Sequence, residues 1–389
     1  MDIIKKRGIF NNGNQCYFNS TLQALSSCES IYDIIINNKI NDNKYLTIIK
    51  KYGFLNIYLS ELQSKCLNII ATNENPDDEE FLRKILINTR EIFIYLDFIN
   101  IIKALMSNNS ESIQINNIIY MLRSHVSNNS FKELFSGEQC DPHECLIYLL
   151  DVFHHCCSKP LDEPKISHIP EINLLNNSTN NIIRELYIQQ YLHEYGDNYS
   201  IFVNHFHNSY LTTINCENCN HNVYNISPLS VIDISVLLDI QIASLQDCMI
   251  NYFKDELLDD YKCDNCKFKN TCKLNKKFIN TSKTLIIELK RFIQSAQGIL
   301  IKNNIHITYP LSVDINPYLV NQTQNLHYNL NAVISHLGHN MESGHYYCIS
   351  KKIKTEQWFI EDDINILPIQ IDDVLKQSNA YLLFYTLEE

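Results

Sequence analysis

Two stretches at opposite ends of this sequence carry side chains that could do covalent chemistry. The first holds Cys16, which stands where a glycine-bearing loop, residues 8–15, feeds a run with Phe18, Leu22 and Leu25 at helical spacing. A thiol at a helix start faces the positive end of the helix dipole and unpaired N–H groups, and both favour the thiolate. Such a thiolate is a nucleophile, and nearby N–H groups or an amide of Asn11, Asn12 or Asn14 can hold an oxyanion. Taken alone, a cysteine in a helical run is more often a buried structural residue. The second stretch is Ser343, Gly344, His345, Tyr346 and Tyr347, after an apolar strand that closes at Gly338. Gly344 lets a substrate backbone approach closely. A histidine at a strand start is rigidly placed for general-base work. Downstream of Trp358, the acids Glu361, Asp362 and Asp363 offer a carboxylate to orient the imidazole. His336 and His339 compete with His345 for the base's role.

Two further groups bind rather than react. Cys216 and Cys219, then Cys263 and Cys266 after a gap of 43 residues, form two CxxC knuckles. In a reducing compartment such a pair reads as a tetrahedral zinc site with four cysteine ligands. The gap is long for a ribbon, so the knuckles belong at the tips of two long hairpins; Cys272 and His221 lie near enough to substitute as ligands. Finally, Asp141 and Glu144, three apart at the start of an apolar helix, make either an acidic helix cap or an anionic clamp for a basic peptide.

These groups need elements to hold them. Residues 16–28 and 137–157 carry helical periodicity, and Asn75, Pro76 and four following acids make a helix start. Residues 158–181 hold three prolines among Asn and Ser and mark a lobe boundary. Beyond residue 200 the runs are short and β-branched or aromatic, as in TLIIELKRF, YNLNAVISHL and AYLLFYTL. Helices first and strands later argue for an α+β protein with separated lobes. The chain has 389 residues, 45% of them hydrophobic, which excludes wholesale disorder. Its net charge of −12 disfavours nucleic acid and anionic membrane and suits a basic partner. No apolar stretch has signal-peptide or membrane-span character, so the 14 cysteines are expected as thiols serving catalysis, metal or packing in an intracellular, reducing compartment, cytoplasm or nucleus.

Together the motifs resemble those of the ubiquitin-specific proteases. GIFNNGNQCYFNSTLQ (8–23) is similar to that family's Cys box, and YNLNAVISHLGHNMESGHYYCIS (328–350) with WFIEDDINI (358–366) to its His box. FSGEQCDPHECLIYLL (135–150), TLIIELKRF (284–292) and AYLLFY (380–385) resemble further family segments, in family order. The resemblance implies one catalytic domain over residues 1–389 with a papain-like fold: a mainly helical thumb to about 165, zinc-bearing fingers over about 200–285, and a β-rich palm. It implies Cys16 as nucleophile, His345 as base, Asp362 or its neighbour Asp363 as the third triad member, and Asn11 as oxyanion donor. It also implies Cys216, Cys219, Cys263 and Cys266 as ligands of one structural Zn2+. Asp141 and Glu144 would grip the ubiquitin tail, with Gly344 beside it. The activity implied is hydrolysis of the bond after ubiquitin's C-terminal glycine, by a monomer whose partners are ubiquitin and ubiquitinated proteins. Gln15, Pro142, Cys145 and Glu361 depart from the family pattern, and Glu361 replaces an aromatic residue next to the triad acid. Three rival readings remain: a ubiquitin-binding module without turnover, a protease for another ubiquitin-like modifier, and a zinc-ribbon nucleic-acid protein.

Overall fold

The computed structural model describes residues 4–36, 59–72, 82, 89–126, 131–158, 169–170, 172, 178–236, 242–294, 300–322, 325–338 and 343–388. The helix start at Asn75 and Pro76, and His339, lie outside the described residues. The chain divides into two compact units, Met1–Cys157 with Ser350–Pro368, and Ser158–Ile349 with Ile369–Glu389. The break after Cys157 coincides with the start of the proline-bearing segment. The return of residues 350–368 to the first unit has no signature in the sequence.

The first unit begins with helices α1 Cys16–Ser27, α2 Glu29–Ile35, α3 Leu59–Thr72, α4 Thr89–Met106, α5 Asn116–Val126 and α6 Pro142–Cys157. Every residue of α1 is buried, polar ones included. Its hydroxyls turn inward onto the helix itself: Ser20 and Thr21 both donate to the Tyr17 carbonyl. Gln23 donates to the Arg7 carbonyl at 2.7 Å. α1 packs against α4 and α6, and the rings of Phe98 and Phe153, 4.0 Å apart, join those two. α6 starts later than its periodicity suggests. Phe135 and Gly137 take left-handed φ values of 63° and 109°, and Pro142, at the first helical position, sets the start.

The second unit opens with α7 Ser178–Tyr195 and α8 Ile201–Phe206. α7 was not legible in the sequence, yet Tyr187, Tyr191 and Tyr195 recur every four residues and are buried together. Next come β1 Asn208–Cys216, β2 Asn222–Leu229, β3 Val231–Ser235, β4 Ile242–Ser244, α9 Leu245–Tyr252, β5 Glu256–Lys262, β6 Lys269–Asn280 and β7 Thr284–Lys290. An antiparallel sheet takes the order β2-β1-β6-β5. Pro228 falls in the edge strand β2, where its missing N–H costs no ladder bond. β3 stands outside this sheet and pairs parallel with β7.

The chain continues through β8 Phe292–Gln294, β9 Leu300–Lys302, β10 His306–Thr308, β11 Ser312–Asp314, β12 His327–Leu337 and β13 His345–Lys351. The last two residues of β13 enter the first unit, where β14 Trp358–Asp362 and β15 Asn365–Ile369 lie side by side. α10 Ile371–Val374 and β16 Ala380–Leu387 finish the second unit. There β16 pairs antiparallel with β12 on one side and β7 on the other. Among the described residues no helix is long and apolar enough to cross a membrane.

Candidate active site

In the first unit Cys16 is the first residue of α1 and is buried. No acidic residue occupies the first turn of α1 itself. The preceding loop turns tightly through Gly13 and Asn14, at φ 118° and 50°. Asn11 organises it: Oδ1 accepts from the Gly13 and Gln15 amides at 3.0 and 3.2 Å. Asn11 Nδ2 donates to Asp363 Oδ2 at 2.9 Å. Asn19, one turn into α1, donates to Asp363 Oδ1 at 2.7 Å, and the Ile9 amide donates to the Asp363 carbonyl at 2.9 Å. One aspartate thus fastens both the loop before Cys16 and the helix after it. An amide nitrogen carries two hydrogens, so the bond to Asp363 leaves Asn11 a second N–H for an oxyanion. Gly8 is required by the same approach: a Cβ there would sit 2.6 Å from Ile364 Cα and 2.8 Å from the Asp363 carbonyl. The sequence singled out Asp363 only as an alternative to Asp362, and passed over Asn19. A polar side chain on a wholly buried helix was the available signal.

Glu361, which departs from the family pattern, is a buried carboxylate with a partner. Lys6 Nζ forms an ion pair with Glu361 Oε1 and donates to Ser350 Oγ. Ser350 in turn donates to the carboxylate at 3.1 Å. Lys6, Glu361 and Ser350 are all buried. Glu361 thus fills an inward position of β14.

In the second unit His345 begins β13 and is half-buried. Its rival His336 is almost wholly buried, with Phe292 edge-on at 5.5 Å and Tyr346 at 4.6 Å between ring centres. Burial, and then the nearby Lys302, His345 and Arg291, push the His336 imidazole down to about 4. A ring so enclosed is a packing element rather than a base. It also explains Gly344, where a Cβ would lie 2.1 Å from His336 Nε2. The glycine is demanded by the imidazole of the same unit before any substrate is considered. Lys302, buried, donates to the His336 and Gly338 carbonyls at 2.7 and 3.1 Å and holds the end of β12 that leads to His345.

Asp141 and Glu144 divide their roles. Asp141 Oδ1 accepts from the His143 amide at 2.8 Å, which makes it the cap of α6. Glu144 lies exposed on the first turn.

The sulfurs of Cys216, Cys219, Cys263 and Cys266 lie within 4.8 Å of one another. One knuckle joins β1 to β2 and the other joins β5 to β6, so both occupy hairpin tips. Each closes by the same bond: the Asn220 amide donates to the Cys216 carbonyl at 2.8 Å, and the Lys267 amide to the Cys263 carbonyl at 2.9 Å. The residue after the second cysteine is left-handed in both, φ 53° at Asn220 and 65° at Lys267. A tetrahedron with metal–sulfur bonds of about 2.3 Å has sulfur–sulfur edges of about 3.8 Å. Cys216 and Cys266 are 3.9 Å apart, Cys219 and Cys263 3.7 Å, so the four residues fit a tetrathiolate metal site. Neither Cys272 nor His221 joins the set.

A family model described as "Ubiquitin carboxyl-terminal hydrolase" matches residues 7–385. Among similar curated proteins, "Ubiquitin carboxyl-terminal hydrolase 4" of Vanderwaltozyma polyspora is 24% identical over 97% of this chain, which spans 40% of that protein. "Ubiquitin carboxyl-terminal hydrolase 17" of Arabidopsis thaliana is 33% identical over 44% of this chain and 24% of its own length. The chain therefore spans less than half the length of these relatives. Among solved structures, the SAGA DUB module of Ubp8, Sgf11, Sus1 and Sgf73 bound to monoubiquitin matches with TM-score 0.64 at 21% identity, covering 98% of this chain and 69% of that one. The same module bound to ubiquitin aldehyde matches with TM-score 0.62 at 20% identity, covering 98% and 69%. At these identities the match establishes the fold, the α+β papain-like architecture expected from the motifs.

Proposed function

The chain belongs to the ubiquitin carboxyl-terminal hydrolase family, and from that membership we propose that it is a cysteine-type deubiquitinase. It hydrolyses the isopeptide or peptide bond after the C-terminal glycine of ubiquitin. The observation that carries this reading is the family match over residues 7–385, which includes Cys16 at the head of α1 and His345 at the head of β13.

The chemistry requires the Cys16 thiol and the His345 imidazole to meet. His345 takes the thiol proton, and the sulfur attacks the carbonyl carbon of the terminal glycine. The oxyanion accepts the second Asn11 N–H and backbone N–H groups at the start of α1. As the tetrahedral intermediate collapses, His345 returns its proton to the leaving lysine amine. Water, deprotonated by His345, then cleaves the thioester and frees Cys16. Asp362 is assigned the orienting of His345, and Asp363 the fastening of the Asn11 and Asn19 amides. Glu144, with Asp141 behind it, pairs with arginines of the ubiquitin tail. Gly344 keeps the narrow approach free of a side chain.

The four finger cysteines hold one Zn2+, which ties two hairpins together; four thiolates leave no open position, so its role is structural. Ubiquitin as partner is supported by the ubiquitin-bound neighbours. Those neighbours are assembled with three further subunits and so give no support to a monomer. Sedimentation of the purified chain measures its state. A reducing intracellular compartment suits free thiolates at the site and the fingers.

The test is labelling with a ubiquitin C-terminal electrophile. The wild type should label and C16A should not, and H345A should label far more slowly. Equal labelling of C16A and wild type would show that no Cys16 thiolate reacts and leave a binding module. Faster labelling by the probe of another ubiquitin-like modifier would reassign the substrate.

A further inference from the structure

Five cysteines, not four, meet at the tip of the fingers. Cys272 is fully buried on β6 as the cross-strand partner of Cys216. It packs in one cluster with Cys216 and Cys263. A metal that seeks thiolates has no intrinsic reason to choose among adjacent sulfurs, so the protein must hold the fifth one back.

Asn270 stands among these sulfurs. Its Nδ2 lies 3.4 Å from Cys216 Sγ and 3.9 Å from Cys266 Sγ. Its Oδ1 lies 3.2 Å from Cys272 Sγ and 3.5 Å from Cys216 Sγ. An amide donates at one end and accepts at the other. Pointing N–H at Cys216 and Cys266 and C=O at the Cys272 S–H, the sulfur nearest the oxygen, matches donor to acceptor at both ends of the amide. The flipped amide would aim its oxygen at two anions and its hydrogens at a hydrogen. Asn265 repeats the motif on the other side, with Nδ2 3.5 Å from Cys219 Sγ. Four thiolates around a dication leave net negative charge, and N–H donors draw that charge off the sulfurs and fix their directions.

Resting on the zinc reading of the four cysteines, we infer that Asn270 is a positioning residue of the metal centre. Its N–H group clamps Cys216 and Cys266 toward the ion, and its carbonyl engages Cys272 and keeps that sulfur outside the ligand set. The sequence offers no sign of this, since Asn270 sits four residues beyond the second knuckle among several other asparagines.

The experiment uses the whole chain. Loaded with Co2+ in place of zinc, wild type should show the intense absorption of a tetrahedral tetrathiolate, with one metal per chain. C272S should give the same spectrum and metal content. N270A should bind the metal about 10–100-fold more weakly in competition with a chromogenic chelator, the usual effect of removing a ligand's hydrogen-bond partner. N270A within twofold of wild type, or loss of metal by C272S, overturns the clamp. Should N270A fail to fold, wild type loaded with 113Cd decides: NMR should show coupling between the metal and the Asn270 side-chain amide protons through sulfur, and its absence overturns the inference. A wild-type chain that takes up no metal sinks the zinc reading itself, whereas a loaded wild type with an indifferent Asn270 sinks the clamp alone.

Discussion

Removing the Lys6 charge should break the first unit more severely than any surface substitution of a lysine. Lys6 and Glu361 are 4% and 2% exposed, and Lys352 also feels the Glu361 charge. Lys352 cannot take over, because its Nζ is committed to the carbonyls of Met106 and Ser107 at 2.8 and 2.6 Å, where it caps α4. In K6M the apolar stem is kept and the charge is lost, so Glu361 stays buried with the Ser350 hydroxyl as its remaining donor. Breaking a buried pair by deleting one partner costs about 3–5 kcal/mol. At about 2–4 °C per kcal/mol for a unit of this size, the midpoint should fall by about 10 °C.

The double variant K6M/E361M separates charge from packing. Exchanging a buried ion pair for apolar residues of similar volume is often neutral, so the double variant should recover most of what K6M loses. The assay is urea unfolding under reducing conditions, followed by tryptophan fluorescence. The chain has one tryptophan, Trp358, buried in β14 three residues before Glu361. If K6M costs less than about 1 kcal/mol, the pair behaves as an exposed salt bridge and the account of Glu361 is wrong. A double variant as unstable as K6M would refute it equally, since the loss would then come from packing.

Other perturbations separate the neighbouring roles. D363N removes an acceptor from one of two charge-assisted amide bonds, each worth about 1.5–3 kcal/mol; turnover of a ubiquitin C-terminal amide should drop about 10–100-fold, and wild-type turnover would dismiss the clasp. E144K should raise KM with kcat little changed, while D141A should lower stability by about 1 kcal/mol through the lost cap; the reverse assignment of effects would show that the acids had been misread. His336 is pushed from its ordinary 6.5 to about 4, with Lys302, His345 and Arg291 facing it. The folded chain therefore binds fewer protons than the unfolded one between those values, and stability should fall as pH drops through that window. Urea midpoints of wild type and H336Q compared from pH 7 to pH 4 isolate this contribution: the wild type should lose more stability on acidification than H336Q, and equal pH dependence would place the titration elsewhere.

What was legible in the sequence was whatever depends on local pattern. Cys16 at a helix start, the two knuckles and the aromatic strands follow from spacing and residue type, because a turn of helix or a hairpin is decided by near neighbours. What escaped was long-range. Lys6 meets Glu361 across some 350 positions, and nothing around a lysine near the N-terminus announces a buried carboxylate so distant. The glycine at 344 was legible as a close approach but not as whose: the approaching groups are the His336 imidazole and the Leu337 carbonyl, from the strand before. α7 was missed for a different reason, since its sequence is rich in Asn, Gln and Glu and its inward face is built from Ile183 and a stripe of tyrosines.

Asp362 and Asp363 stand side by side in the sequence, and strand geometry accounts for where Asp363 goes. Side chains along a strand point alternately to opposite faces. Glu361 points inward to Lys6, so Asp362, the last residue of β14, points to the other face. A regular continuation would send Asp363 inward after Glu361, into a space that Lys6 and Ser350 already fill. Instead the backbone turns left-handed at Asp363, φ 53°, which swings its carboxylate to the Asn11 and Asn19 amides. The left-handed turn is strained for a residue with a Cβ, and aspartate is among the few that tolerate it. Glycine at 363 should therefore keep the turn and lose the clasp. If D363G left the loop before Cys16 as ordered as in wild type, with turnover intact, the backbone bond from Ile9 alone would suffice and the side chain's role would fall.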